Sequence, residues 1–461
     1  MNIRETKLFI IATDKLGMDG AIAFSSAARV FQAFSGVITI FFIATFLTGE
    51  EQGFYYTFGS ILAIQVFFEL GFTGIMTQYV AHEAVHLRLS ESFFYEGEQQ
   101  YKSRLAYLVR FCIKWYAVIA ALFLTVILVA GFVYFGTFDK TNGTVSWRGA
   151  WVLLAFSTAL TLFQSPFTAI FTGLGKVKDM NKISFYQQLI IPISQWILFA
   201  CGVKLYVVGI SSFLGVIIWC VFVWNHDFWR ILYNLLKEKI TEKISYMKEI
   251  FPYQWKIALS WISGYFIFQL FNPVLFATEG PVVAGQMGMT LNVLNAIQTF
   301  ALSWQNTKIP AYSGLIELKK YVELDDLFNK TMKQMNLICM GLLTAMFVGV
   351  YILRITGFEL SGNMLGNRFL DYFPMILMMS SLIISINTYS WATYLRCHKQ
   401  EPILLTSVVV AILCTISTLL LGHVWGVIGI TCGYFAIRLC VSLPWIRHIY
   451  VVKKREWHLV S

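Results

Sequence analysis

Apolar stretches that are long enough to cross a bilayer recur along almost the whole chain. A transmembrane helix needs about 20 predominantly apolar residues. Twelve such stretches occur, at positions 21–49, 54–80, 109–136, 150–173, 183–203, 205–226, 253–277, 281–307, 332–354, 368–395, 402–422 and 424–450. The pattern predicts an all-α, polytopic membrane protein with about twelve transmembrane helices. Two connections must then be very short turns, at 201–204 and at Gly422-His423.

The composition supports the same class. Of the 461 residues, 57% are hydrophobic and only 13% are charged, and the mean hydropathy is +0.65. A soluble globular domain is usually about 25% charged. The high apolar content also excludes an intrinsically disordered chain. None of the eight cysteines forms a C-x-x-C pair, so we expect neither a disulfide framework nor a zinc ribbon.

The positive charges fall mainly on alternate loops. The net charge is +10, and 26 of the 35 Lys and Arg residues lie on the side of the predicted spans that holds both termini, against five on the opposite side. Cytoplasmic loops carry such an excess of Lys and Arg. We therefore expect both termini in the cytoplasm, and we interpret the basic character as membrane topology rather than as affinity for nucleic acid.

The spans divide into two similar halves. A charged segment at 227–252 would form a cytoplasmic linker helix between a six-helix bundle at 1–226 and a second one at 253–461. A short repeat supports this division, because residues 201–211 align without gaps with residues 421–431 and are identical at four of eleven positions. Parallel repeats of this kind occur in membrane transporters.

Polar side chains form stripes on the first two helices of each half. Members of these stripes are Gln32 in the first span, Gln65 in the second, and Asn292 and Asn295 in the eighth. Neighbouring members of a stripe are three or four residues apart, which places them on one helix face. We predict that these residues line a water-filled cavity between the two bundles.

Three cations within the spans are candidates for substrate binding. They are Arg29, Lys256 and Arg438. An ionisable group at membrane depth is costly unless it is paired or hydrated. Cations that converge on a cavity suit an anionic ligand such as a phosphate or pyrophosphate. A purely structural interpretation stays open, in which Arg29 pairs with Glu69 and the Lys256 ammonium extends to the membrane interface.

Glu69 is the only acidic residue well inside a predicted span. A carboxyl buried at this depth could serve as a binding site for a proton or a sodium ion. A salt bridge to Arg29, or a neutral hydrogen-bonded carboxyl, would explain it equally well.

One motif points to another class. His82-Glu83-Ala84-Val85-His86 matches H-E-x-x-H, in which two histidines bind zinc and the glutamate acts as a base. The sequence offers no third ligand at the usual spacing, and polar residues are common where a span leaves the membrane. We therefore predict no metal site, no cofactor and no catalytic residues. The chain also lacks a Walker-type phosphate loop and a G-x-S-x-G motif.

The chain resembles the Wzx-type polysaccharide flippases of the multidrug/oligosaccharidyl-lipid/polysaccharide (MOP) exporter superfamily, which serve O-antigen, capsule or exopolysaccharide synthesis. The resemblance covers essentially the whole chain. The segments that carry it are EEQGFYYT at 50–57, ELGF at 69–72, GLGK at 173–176 and PAY at 310–312.

This resemblance implies a V-shaped transporter of two bundles in the inner membrane of a bacterium. The transporter would move undecaprenyl-pyrophosphate-linked oligosaccharide from the cytoplasmic to the periplasmic leaflet by alternating access. Arg29 and Lys256 would match the cationic cavity residues of related flippases, and Glu69 would couple transport to a proton or sodium gradient. Besides the lipid-linked substrate and membrane lipid, polysaccharide polymerase and chain-length proteins are expected partners.

Two other classes stay open. A multidrug or cation antiporter of the same fold would need buried acidic residues, and one intramembrane glutamate against four cations, the three candidates and Lys114, argues against it. A membrane zinc metalloprotease would depend on His82, Glu83 and His86 alone.

Overall fold

The structure is a computed structural model that describes residues 20–242, 244, 246, 251–360, 362–398 and 402–459. The helices are α1 Gly20–Phe46, α2 Gly49–Leu62, α3 Val66–Glu69, α4 Phe72–Ala84, α5 Gln99–Phe138, α6 Arg148–Gly173, α7 Val177–Ala200, α8 Tyr206–Asn225, α9 Phe228–Lys237, α10 Phe251–Phe268, α11 Phe271–Thr278, α12 Pro281–Asn306, α13 Ile309–Glu317, α14 Tyr321–Ile355, α15 Tyr372–Cys397, α16 Leu404–Ile437 and α17 Leu443–Leu459. A π-helical turn, Arg438–Ser442, joins the last two, and 3-10 turns occupy Ala63–Gln65 and Leu365–Arg368. The strands are short antiparallel pairs, β1 Leu87–Leu89 with β2 Tyr95–Gly97 and β3 Glu359–Leu360 with β4 Asn363–Met364.

The helices follow the predicted spans. Within the described ranges, eight helical runs are long and apolar enough to cross a membrane. Together with α1, α10, α11 and α12, they account for the twelve predicted stretches, which confirms an all-α protein with about twelve transmembrane helices. The short turn predicted at 201–204 is confirmed, because α7 ends at Ala200 and Gly202 takes a positive φ of 75°.

The second predicted span is broken rather than continuous. Its helix stops at Glu69 and restarts at Phe72, and the two residues between them, Leu70 and Gly71, have left-handed φ angles of 49° and 67°. Glycine tolerates this conformation because it has no Cβ, whereas Leu70 adopts it at a cost. The break therefore lies directly after Glu69, where backbone carbonyls lose their helical partners.

The last helical run folds back on itself at Gly426, not at Gly422-His423 as predicted. Gly426 has φ 55° and ψ −134°. The two limbs then pack closely, since a Cβ added to Gly429 would lie 2.2 Å from the Leu421 carbonyl oxygen. The carboxylate of Glu279 accepts a hydrogen bond of 2.9 Å from the Val427 backbone N–H, at the start of the second limb. This satisfies one donor that a helix N-terminus leaves unpaired.

We expect Gly426→Ala to destabilise this turn. An added Cβ would lie 1.3 Å from the Glu279 Oε1 atom, and the backbone conformation is strained for any residue with a side chain. The free energy of unfolding should fall by about 2 kcal/mol or more. Thermal unfolding of the purified protein measures this. Gly349→Ala, where nothing lies within 4 Å of the added Cβ, is the control and should be neutral or stabilising. Equal melting temperatures for the two variants would contradict the prediction.

The chain forms two compact units whose sequence ranges interleave. The first comprises Met1–Ser35, Ile64–Thr137 and Ser146–Trp261, and the second comprises Gly36–Ala63, Phe138–Val145 and Ile262–Ser461. The predicted division into a bundle at 1–226, a linker helix at 227–252 and a bundle at 253–461 stays a prediction. Within the predicted linker, the structure describes the helix Phe228–Lys237.

The second unit is held together by buried polar contacts between distant segments. Arg368 is 5% exposed and donates to the Leu47 carbonyl oxygen at 2.5 Å, just beyond the C-terminal end of α1. A cation near a helix C-terminus interacts favourably with the helix dipole. The Gln52 side-chain amide donates to the carbonyl oxygens of Gly285, at 2.8 Å, and of Arg368, at 3.2 Å. Burial lowers the pKa of the Arg368 guanidinium, and the Glu51 carboxylate opposes that shift.

Candidate functional site

Arg438 lies buried in the second unit, within a helical run that is long enough to span the membrane. Its side chain is 7% exposed. The guanidinium donates to three hydroxyl oxygens, those of Ser385 at 2.5 Å, Thr388 at 3.5 Å and Ser442 at 3.3 Å. The guanidinium carbon, Cζ, also lies 6.0 Å from the ring centre of Tyr434. The π-helical turn that begins at Arg438 widens the helix there, and such turns frequently mark functional sites.

The hydroxyl groups around Arg438 stabilise its charge without neutralising it. Ser385 and Thr388 direct their own hydrogens to backbone carbonyl oxygens one turn earlier on α15, so their oxygens remain acceptors for the guanidinium. Among the residues that the structure describes, no carboxylate forms an ion pair with Arg438, and its Nε–H has no hydrogen-bond partner there. A buried cation of this kind attracts an anion, and its planar donor fork suits a phosphate group.

The side chains of the other two predicted cations lie outside the described residues. Arg29 belongs to α1 and Lys256 to α10, and the structure describes only the backbone of these two residues. Their role in binding pyrophosphate stays a prediction, as does the alternative salt bridge between Arg29 and Glu69.

The four predicted polar lining residues differ in exposure. Gln32 and Asn295 are exposed, whereas Gln65 and Asn292 are half-buried. Gln32 and Gln65 belong to the first unit, and the two asparagines belong to the second. That they line one common cavity stays a prediction.

Glu69 lies at the helix break in the first unit, among hydroxyl groups. Its carboxylate accepts a hydrogen bond from the Thr73 hydroxyl, and the Thr73 oxygen lies 3.3 Å from the phenol oxygen of buried Tyr116. Discontinuous membrane helices place carboxylates and freed carbonyls where transporters bind coupling ions. The arrangement therefore suits a proton or a small cation. Sequence reasoning found Glu69 but missed the break, although the adjacent Gly71 could have signalled it.

The H-E-x-x-H motif has a structural explanation. Glu83 is 1% exposed and accepts a hydrogen bond of 2.9 Å from the Arg104 Nε–H, so its carboxylate is engaged in an ion pair. His86 stacks on Tyr101 with ring centres 4.0 Å apart, and His82 is exposed. Within the described part of the chain, no group of three His, Cys, Asp or Glu side chains could hold a metal ion.

The hydroxyl residues around Arg438 were not predicted from the sequence. Two of them, Ser385 and Thr388, lie three residues apart on α15, which is the spacing of one helix face. This spacing is the signal that could have identified these hydroxyls before the structure.

Comparisons with protein-family models and with curated proteins give no match to this sequence. Solved structures do match the fold. An inward-facing multidrug resistance MATE family transporter of the MOP superfamily has a TM-score of 0.65 at 12% identity, covering 97% of this chain and 98% of that one. The MATE multidrug transporter DinF-BH has a TM-score of 0.57 at 13% identity, covering 96% of this chain and 97% of that one. The lipid II flippase MurJ, in an inward closed conformation, has a TM-score of 0.55 at 14% identity, covering 95% of this chain and 90% of that one. The chain therefore has, over almost its whole length, the membrane-transporter fold that MATE proteins share with MurJ.

Proposed function

We propose that the protein is a MOP-superfamily flippase for surface polysaccharide synthesis. It would move undecaprenyl-pyrophosphate-linked oligosaccharide from the cytoplasmic to the periplasmic leaflet of a bacterial inner membrane. The observation that carries the proposal is the buried guanidinium of Arg438, which has no carboxylate partner among the described residues. The fold likeness to a lipid II flippase supports it.

The charge at membrane depth favours an anionic substrate over an organic cation. The predicted spans contain four cations and a single carboxylate well inside them, that of Glu69. Cations favour phosphate and pyrophosphate, whereas a cationic drug would require carboxylates in the binding site. A multidrug antiporter remains the second candidate, because its fold would be the same and Glu69 offers one such carboxylate.

The proposed mechanism follows from the amphiphilic substrate. The pyrophosphate and sugars would occupy a polar, cationic cavity, while the prenyl chain stays in the lipid. Rocking of two helix bundles would expose that cavity first to one side of the membrane and then to the other.

Deletion and complementation test this proposal. We expect deletion of the gene to abolish surface polysaccharide and to cause lipid-linked precursor to accumulate inside the cell. Wild type and His82→Ala should restore export, and Arg29→Ala, Lys256→Ala and Arg438→Gln should not, at matched expression. Normal polysaccharide in a deletion strain without a redundant transporter would overturn the proposal and favour drug export.

We expect Glu69→Gln to uncouple transport from an imposed ion gradient. The amide keeps the hydrogen bond with Thr73 but cannot carry the charge that holds a proton or sodium ion. In proteoliposomes, the acceleration that a proton or sodium gradient gives to the wild type should fall at least about tenfold, which corresponds to about 1.4 kcal/mol of activation free energy. The exposed Glu323→Gln is the control. Equal responses of Glu69→Gln and the wild type would exclude Glu69 as the coupling group.

A further inference from the structure

The second unit contains a pocket that is separate from the Arg438 site. Its volume is about 790 Å³, and its walls come from α13, from the last turns of α15, and from Trp457 on α17. Lys319, in the turn that follows α13, and Arg396, on α15, both line it and are exposed. Both residues belong to the group of 26 Lys and Arg residues that the sequence places on the cytoplasmic side.

The lining combines three kinds of chemistry. Lys319 and Arg396 supply two positive charges, and Glu317 supplies one negative charge. Ser313 and Thr393 supply hydroxyl groups. Flat aromatic walls are contributed by Tyr389, Tyr321 and Trp457, and Ile309, Ile316, Cys397 and His398 form the rest of the lining.

The aromatic wall is held in place by neighbouring side chains. Trp457 stacks on His398 with ring centres 3.9 Å apart and nearly parallel planes. One turn earlier on α17, Lys454 forms an ion pair of 2.7 Å with Asp325 on α14. Asp325 also accepts a hydrogen bond of 3.0 Å from the Tyr394 hydroxyl on α15. Three helices therefore fix the position of the wall, and a ligand would meet a surface that is already ordered.

We infer that this pocket binds the glycosyl phosphate headgroup of a lipid before its transport. Lys319 and Arg396 suit the phosphate oxygens. Glu317 and the two hydroxyls suit the hydroxyl groups of a sugar, which both donate and accept hydrogen bonds. The aromatic faces suit the apolar face of a sugar ring. A carboxylate on the rim disfavours a headgroup that has only negative charge, so a plain anionic phospholipid fits less well.

The inference rests on the proposed function for the identity of the lipid carrier, whereas the binding chemistry rests on the pocket alone. The full-length protein in phosphatidylcholine nanodiscs would be titrated with farnesyl-pyrophosphoryl-N-acetylglucosamine, and binding measured by native mass spectrometry. A free nucleoside-diphosphate sugar, farnesyl pyrophosphate and phosphatidylglycerol would be added as competitors. They distinguish a soluble sugar phosphate, a prenyl pyrophosphate and a phospholipid as the source of the phosphate.

We expect the double variant Lys319→Gln/Arg396→Gln to weaken binding about tenfold to a hundredfold, because it removes charge-assisted hydrogen bonds. Trp457→Leu should also weaken binding, and the charge-matched control Lys320→Gln/Lys330→Gln, on exposed residues outside the pocket, should not. The diphosphate sugar, the competitor that carries a glycosyl phosphate, should compete better than phosphatidylglycerol.

Equal binding by the Lys319/Arg396 variant and the wild type would overturn the inference, as would equally strong competition by phosphatidylglycerol. Either result would leave the deletion phenotype unchanged, so the pocket can fail while the proposed function stands. Failure of the deletion test with intact headgroup binding would instead overturn the proposed function alone.

Discussion

Arg438→Gln should reduce export at least tenfold while leaving the protein folded. A buried ion pair that loses one partner leaves an uncompensated charge, which usually costs about 3–5 kcal/mol. Arg438 has no carboxylate partner in the described part of the chain, so its removal strands no charge. Ser385 and Thr388 keep their hydrogen bonds to backbone carbonyl oxygens of α15. The stability should therefore stay the same or rise, and only anion binding should suffer.

Two measurements separate function from folding. Thermal unfolding in detergent reports stability, and flipping of a fluorescent prenyl-pyrophosphoryl sugar in proteoliposomes reports activity. Arg438→Lys keeps the charge but loses the planar fork, so we expect intermediate activity. Arg447→Gln, an exposed change nine residues further along the same helical run, is the control. A variant Arg438→Gln that unfolds would assign Arg438 a structural role, and one that stays folded and transports like the wild type would exclude Arg438 from substrate binding.

The apolar pattern predicted the fold class and the positions of nearly all the helices. Length and hydropathy are sufficient for this, because each span must satisfy its own backbone hydrogen bonds in lipid. The pattern does not reveal where a span breaks. Leu70 and Gly71 do not interrupt the apolar pattern, and it is their left-handed conformation that breaks the helix. The turn at Gly426 was misplaced for a related reason, since three glycines, Gly422, Gly426 and Gly429, all lie in one apolar run.

The candidate site was predicted in part. Arg438 stood out because a charge within a span is rare. The hydroxyls of α15 did not, since serine and threonine are common in membrane helices and only packing shows which of them face a cation. Arg368 shows the opposite error, because it stands at the edge of a predicted span and was not among the candidates, yet it lies buried against the end of α1. A long-range contact of this kind has no local sequence signal.

Gly53→Ala should destabilise the second unit by about 3 kcal/mol or more, which is at the upper end of the range for overpacking. Gly53 lies where α2 crosses the start of α12, and an added Cβ would lie 1.9 Å from the Pro281 carbonyl oxygen. That oxygen belongs to the backbone, so it cannot move aside as a side chain could. Gly285, on the facing helix α12, is equally close to α2, since a Cβ added there would lie 2.9 Å from the Gly53 nitrogen. Small residues let membrane helices approach this closely.

The added methyl group must therefore push the two helices apart, and the separation would also weaken the hydrogen bond of 2.8 Å between Gln52 and the Gly285 carbonyl. Gly59→Ala, on the same helix, is the matched control, because nothing lies within 4 Å of its added Cβ. Alanine favours helix over glycine by about 1 kcal/mol, so the control should be neutral or stabilising. Thermal unfolding midpoints and the yield of monodisperse protein give the comparison. Equal stability of the two variants would show that α2 and α12 are not in backbone contact at Gly53.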